Sequence, residues 1–210
     1  MRATVRLAAP VAALALLLTV TACGGSDGGP GNGGGGDNLL ANPGAEEGIE
    51  GYVGHNNVSI RQDTTTASEG AASANVSISD AQGAGVQFWK ADGVTMTPVS
   101  GGQGYRFSLD VKGDVGKSMR LEVLWHSSGG AFLETSLGPI FFLPVGSFSG
   151  VEFTAVAPDG AGLAVPQLVT DAAPGQAITV WVDNVRFAQT SGSGSPAPTA
   201  SPASTASPAQ

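Results

Sequence analysis

The sequence predicts an all-β domain, an antiparallel β-sandwich, and three observations carry that prediction. Apolar residues alternate with polar ones at period two in several short segments. Clusters of turn-forming residues separate those segments. No stretch of ten or more residues keeps the 3.6-residue period of a helix. Composition agrees: charged residues make up only 12% and glycine counts 32, which favours strands, turns and linkers over exposed helices.

Taken in chain order, Val86 and Phe88 point one way and Gln87 and Trp89 the other. Tyr105, Phe107, Leu109 and Val111 then alternate with Arg106, Ser108, Asp110 and Lys112. Met119, Leu121, Val123 and Trp125 do the same against Arg120, Glu122 and His126, with Leu124 the one exception. Val151, Phe153 and Ala155 form a shorter alternating segment. An apolar run from Leu163 to Val169 follows, and Ile178, Val180 and Val182 complete the set. Turns are expected at Ser100-Gly101-Gly102, Lys112-Gly113-Asp114, Ser127 to Gly130 and Pro158-Asp159-Gly160. In this scheme Trp125 and Tyr105 are core residues. Trp181 falls out of phase with its apolar neighbours, on the face of Thr179 and Asp183.

The flanks read differently. Arg2 and Arg6 precede an apolar stretch from Leu7 to Val20, the pattern of a secretory signal segment spanning residues 1–22. Val20-Thr21-Ala22-Cys23 resembles a bacterial lipobox, which implies cleavage before Cys23 and lipidation of its thiol. A single cysteine forms no internal disulfide. Residues 23–37 are then a lipidated Cys and a Gly-rich tether, with a reach of about 20 Å. Residues 190–210 form an extended Ser/Pro/Ala/Thr-rich tail, which leaves 38–189 as one folded domain. The expected location is the outer face of the cell membrane, with the lipid as the membrane's only hold. No second apolar run is long enough to span a bilayer. Without Arg2 and Arg6, seven basic residues face 17 acids, a net charge of −10 that argues against nucleic acid as a partner.

Within the domain, Asn38-Leu39-Leu40-Ala41-Asn42-Pro43-Gly44-Ala45-Glu46-Glu47-Gly48 resembles the opening of the cellulose- and xylan-binding carbohydrate-binding modules. The segments Gly104 to Ser108 with Val111 to Gly113, and Val180 to Phe187, resemble that family's middle and closing strands. The resemblance implies a galactose-binding-like jelly roll. It also implies a structural calcium ion that ties the opening to the last strand, with Glu46 and Asp183 as side-chain ligands. Ala45 stands where the family commonly has Phe, and the Trp it often has near Tyr52 is missing.

Aspartate is disfavoured inside an apolar strand, so Asp183 needs a partner in its own right. Calcium is one, and backbone N–H groups at a bulge are the other. Sugar binding relies on flat aromatic faces flanked by hydrogen-bonding side chains. Trp89 or Trp181 would supply the face, with Gln87 and Arg106, and with Asp110, Glu122 and Gln167 as further lining. His55 and His126 stand in no local Ser-His or Cys-His arrangement, and no GxSxG, HExxH or phosphate-binding loop is present. The expected protein is thus a non-catalytic, surface-tethered binding module for a polysaccharide or cell-wall glycan. The alternative is a structural or protein-interaction lipoprotein of the envelope with no sugar site.

Overall fold

Two antiparallel sheets face each other in the computed structural model, which describes residues 36–79, 82–90, 92–171 and 175–190. The expected signal segment, Cys23 and nearly all of the tether and tail lie outside the described residues.

The strands are β1 (Tyr52–His55), β2 (Val58–Asp63), β3 (Ser73–Ile78), β4 (Gly85–Phe88), β5 (Thr97–Pro98), β6 (Gly104–Gly113), β7 (Ser118–Ser127), β8 (Phe132–Phe142), β9 (Ser149–Val156), β10 (Ala161–Thr170) and β11 (Ile178–Gln189). The first sheet runs β1-β4-β10-β7-β8, with β5 also paired to β10; the second runs β2-β3-β11-β6-β9. Seven of the ten connections between these strands cross from one sheet to the other, and only β2–β3, β4–β5 and β7–β8 stay within a sheet, the crossing pattern of a jelly-roll sandwich. No helix occurs among the described residues.

Period-two alternation sets which side chains meet. Tyr105, Phe107, Leu109 and Val111 of β6 turn inward against Met119, Leu121, Val123 and Trp125 of β7, and all eight are buried. Ile178, Val180 and Val182 of β11 join them, and beyond a register shift so do Val185 and Phe187. Tyr105 stacks on Phe187 at 5.2 Å between ring centroids, and Trp125 lies 5.8 Å from Tyr105. Burying a ring of this size contributes on the order of 4 kcal/mol at about 25 cal/mol per Å². The two buried polar atoms of this cluster are served: Trp125 Nε1 donates to Ser136 Oγ at 2.8 Å, and Tyr105 Oη accepts from Ser100 N at 2.7 Å. Leu124, the exception in its strand, stands on the outer face beside Glu122 and His126 and needs no inward place.

At one position a strand pair admits no side chain. A Cβ at Gly85 would sit 1.9 Å from the Leu168 carbonyl oxygen, so β4 and β10 approach closely only because that position is glycine.

Candidate functional site

The outer face of the first sheet carries a continuous polar row. Gln87 of β4, Gln167 of β10 and Glu122 of β7 are cross-strand partners, so all three project from the same face. Trp89, two residues beyond Gln87, shares that face and donates through Nε1 to Gln87 Oε1 at 3.1 Å. Gln87 Nε2 donates to Gln167 Oε1 at 3.1 Å, and Gln167 Nε2 donates to Glu122 Oε2 at 2.7 Å. Arg120 stands 4.0 Å from Glu122 and is also paired with Asp171. Every donor in the relay points toward the Glu122 carboxylate. The side chains are therefore held in place before any ligand arrives, which lowers the ordering cost of binding.

His55 of β1 is in register with Gly85, one row along from Gln87. Burial lowers the pKa of its imidazole, against a smaller opposing pull from the Glu122 charge. Its Nε2 and Arg120 Nε are buried without a hydrogen-bond partner. On the far side of the row, Phe132, Leu137, Ile140 and Phe142 of β8 stand exposed, Phe142 at 77%. Five strands at about 4.8 Å spacing make this face about 19 Å wide, enough for several linked sugar rings.

The expected site residues do not all gather here. Trp89 and Gln87 belong to this face, together with Glu122 and Gln167. Trp181 and Arg106 stand on the second sheet, on β11 and β6, so the two tryptophans form no common platform. Trp181 Nε1 donates to Asp63 Oδ2 at 2.8 Å, and Lys112 Nζ lies 4.6 Å from the centre of its ring. Hydrogen bonds from the Thr65 hydroxyl and then from Trp181 hold the Asp63 carboxyl down to about 2. Arg106 is exposed and paired with Glu152 across β6 and β9. This division between sheets has a plain cause: alternation tells which side of its own strand a residue takes, but not which sheet the strand joins. Cross-strand register and the Arg120–Asp171 ion pair, which alternation does not show, bring Arg120, Asp171 and His55 to the row.

Glu46 and Asp183 do come together, on either side of Gly44. A Cβ at Gly44 would lie 3.3 Å from Asp183 Oδ1 and 3.5 Å from Glu46 Oε1. Asp183 sits at the register shift in β11, where Asn184 adopts a left-handed φ of 46°. It is only 1% exposed, and Oδ2 accepts from Ser68 N at 2.7 Å and Glu69 N at 3.1 Å. Asp183 Oδ1 accepts from Asn184 N at 2.7 Å. Glu46 Oε1 accepts from Ala71 N at 3.0 Å and Ala72 N at 3.2 Å. Burial raises the Asp183 pKa, against the lowering effect of those N–H bonds. The loop from Thr66 to Ala72 is thus pinned over two carboxylates by its own backbone amides.

The donor set fits a calcium ion in kind: hard carboxylate oxygens, one nearly buried, with no salt bridge to a basic side chain among the described residues. Backbone carbonyls would have to complete the shell, since no group of three or more His, Cys, Asp or Glu is placed to hold a metal among the described residues. Bulge-directed N–H bonds are nonetheless sufficient partners for Asp183 in their own right.

The strand order defines a jelly-roll sandwich. Several solved carbohydrate-binding modules share this fold. The CBM22-1 xylan-binding domain from Paenibacillus barcinonensis Xyn10C aligns with a TM-score of 0.60 at 16% identity, over 76% of this chain and 98% of that domain. The C-terminal family 22 carbohydrate binding module of Clostridium thermocellum Xyn10B aligns at 0.56 and 13% identity, over 70% and 91%. A family 16 carbohydrate binding module aligns at 0.51 and 18%, over 71% and 99%. Identities this low establish a shared fold. The chain also aligns with part of the α-L-arabinofuranosidase MgGH51, at a TM-score of 0.57 and 15% identity, over 76% of this chain and 27% of that one. No family model matches the sequence, and no curated protein does either.

Proposed function

We propose that this chain is a non-catalytic module that holds a polysaccharide, of xylan or cell-envelope type, across the outer face of its first sheet. The observation that carries this reading is the relay Trp89–Gln87–Gln167–Glu122, an aromatic ring continued by pre-ordered amides and a carboxylate across three strands. Trp89 supplies the stacking surface and the free N–H and lone pairs of Gln87 and Glu122 meet sugar hydroxyls, while the buried Gln167 holds the two side chains in place. The fold shared with xylan-binding domains supports the choice of ligand class. In this reading Cys23 carries the lipid that keeps the domain at the extracytoplasmic membrane surface. A calcium ion between Glu46 and Asp183 clips the opening segment to β11 and takes no part in chemistry.

The test is retention of the full-length chain on insoluble xylan, cellulose, chitin and whole cell wall, with Trp89→Ala and Trp181→Ala compared. Retention on one polymer that is lost in Trp89→Ala and kept in Trp181→Ala supports the reading. No retention on any polymer by a folded sample refutes it.

A second reading has its own observation. The exposed Phe132, Leu137, Ile140 and Phe142 put an apolar band beside the polar row, of the kind that protein partners cover. An envelope interaction protein without a sugar site is the function that band supports.

A further inference from the structure

The second sheet carries a groove that the function above leaves unused. It is a shallow groove of about 490 Å³, open to solvent, between the loop at Thr66, Ala67 and Ser68, the β6 residues Asp110 and Lys112, and the turn and strand start from Gly146 to Gly150. That volume lies in the range of small-molecule sites.

Its walls are chemically specific. Asp110 Oδ2 accepts from Ser68 Oγ at 2.7 Å and from Asn184 Nδ2 at 3.4 Å, so its carboxylate is fixed in place. Its Oδ1 lies on the side of Gly150, its cross-strand partner, where a Cβ would come within 3.3 Å. Glycine there keeps this acceptor uncovered. Lys112 Nζ donates to Thr66 Oγ1 at 2.8 Å and lies between two rings, 4.6 Å from the centre of Trp181 and 5.2 Å from that of Phe148. The two aromatic faces hold the ammonium group at a defined place. Ser147 and Ser149 add hydroxyls that donate or accept as required.

We infer that this groove is a second saccharide site, independent of the first sheet, that takes a neutral sugar unit. A sugar hydroxyl is both donor and acceptor, and the groove offers a fixed acceptor, a fixed cationic donor and hydroxyls that serve as either. Phe148 supplies an apolar surface for the C–H side of the ring. The charges of Asp110 and Lys112 balance, so the groove favours neither an anion nor a cation, and an apolar side chain would leave its charged groups and hydroxyls unpaired. The groove also borrows its rigidity from the buried Asp183 carboxylate: Ser68 gives its backbone N–H to Asp183 and its hydroxyl to Asp110, so one residue fixes both.

Amide chemical shifts of the full-length chain test this with xylohexaose, cellohexaose and chitohexaose, each titrated into wild type and Trp89→Ala. The expected result is that amides at 66–68, 110–112 and 146–150 respond to at least one oligosaccharide, and still do so in Trp89→Ala. Gly150→Ala, whose new methyl crowds Asp110 Oδ1, should then raise the Kd tenfold or more. Lys112→Met, which keeps the packed stem and removes the donor, should do likewise and serves alone if Gly150→Ala does not fold. Silence at these amides while those of Gln87 and Gln167 respond overturns the second site and leaves the first intact. An unchanged Kd in both variants also overturns it, and silence everywhere overturns the two together.

Discussion

Replacing Asp183 by Ala should unfasten the loop from Thr66 to Ala72, and the cost can be worked from its hydrogen bonds. Three backbone N–H groups, of Ser68, Glu69 and Asn184, lose a charged acceptor. Charge-assisted bonds of this kind contribute about 1.5–3 kcal/mol each when their partner is lost without replacement. The Ser68 and Glu69 amides lie on an exposed loop and recover water, so the sum falls to about 3 kcal/mol. Part of even that is offset, because burial raises the carboxyl pKa. A raised folded-state value means that this effect favours folding below the unfolded pKa of 3.8 and is lost as pH rises through the folded value. At neutral pH the charged Asp183 therefore carries a desolvation cost that alanine removes. A net loss of about 2–3 kcal/mol lowers Tm by about 4–12 °C for a domain of this size. Thermal unfolding followed by circular dichroism, in chelator and then in calcium, reads both effects. At one hundred times its Kd, calcium would add about 2.7 kcal/mol to the wild type and nothing to the variant. A Tm change under about 2 °C in Asp183→Ala would refute the role of the carboxylate in holding the loop. A wild-type Tm indifferent to chelator and calcium alike would remove the metal and leave the hydrogen bonds standing.

Trp89→Ala should weaken polysaccharide binding by about 2 kcal/mol, about 30-fold, with Tm unchanged, as measured by affinity electrophoresis in soluble xylan. Trp125→Ala should cost about 3–5 kcal/mol in urea unfolding, because it empties a fully buried site and strands the Ser136 hydroxyl. Gly85→Ala should abolish the native β4–β10 pairing, read as loss of near-ultraviolet dichroism, since no shift of a flexible side chain relieves a 1.9 Å approach to backbone. His55 has a pKa lowered from 6.5 by burial, so its contribution to stability is present above pH 6.5 and is lost as pH falls through the lower folded value. Stability measured between pH 7.5 and 5 should therefore decline, and His55→Gln should flatten that decline.

Much of the sandwich is written in residue alternation. β6, β7 and β11 each keep their apolar set on one face, and the structure buries those sets as period two requires; the shorter set of β9 is half-buried, and the apolar run of β10 is buried on both faces. β8 is different: Phe132, Leu133, Leu137, Ile140 and Phe142 are exposed, so its apolar residues mark no inward face and gave no strand signal. The short β1 and β2 are held by pairing more than by pattern. For the site, parity placed Trp89 with Gln87, and the burden of Asp183 inside an apolar strand was visible in its neighbours. What alternation lacks is register. Only the pairing of β4, β10 and β7 brings Gln87, Gln167 and Glu122 into one row, and only sheet membership sends Trp181 and Arg106 elsewhere.

The two ends of the described chain run side by side. Gly36 N donates to Gln189 O at 3.0 Å, and Leu39 N to Phe187 O at 2.8 Å, so the incoming segment lies antiparallel to the outgoing strand. Asn38 closes the gap between them, its Oδ1 accepting from Phe187 N at 3.0 Å and its Nδ2 donating to Val185 O at 2.9 Å. Tension applied to both ends meets these bonds one after another, like the teeth of a zipper, and not as a row sheared all at once. Such a seam opens at low force from the outside inward. The first pull on the chain is therefore absorbed by the segment from Gly36 to Leu40 peeling away, and reaches the core only after that slack has been spent.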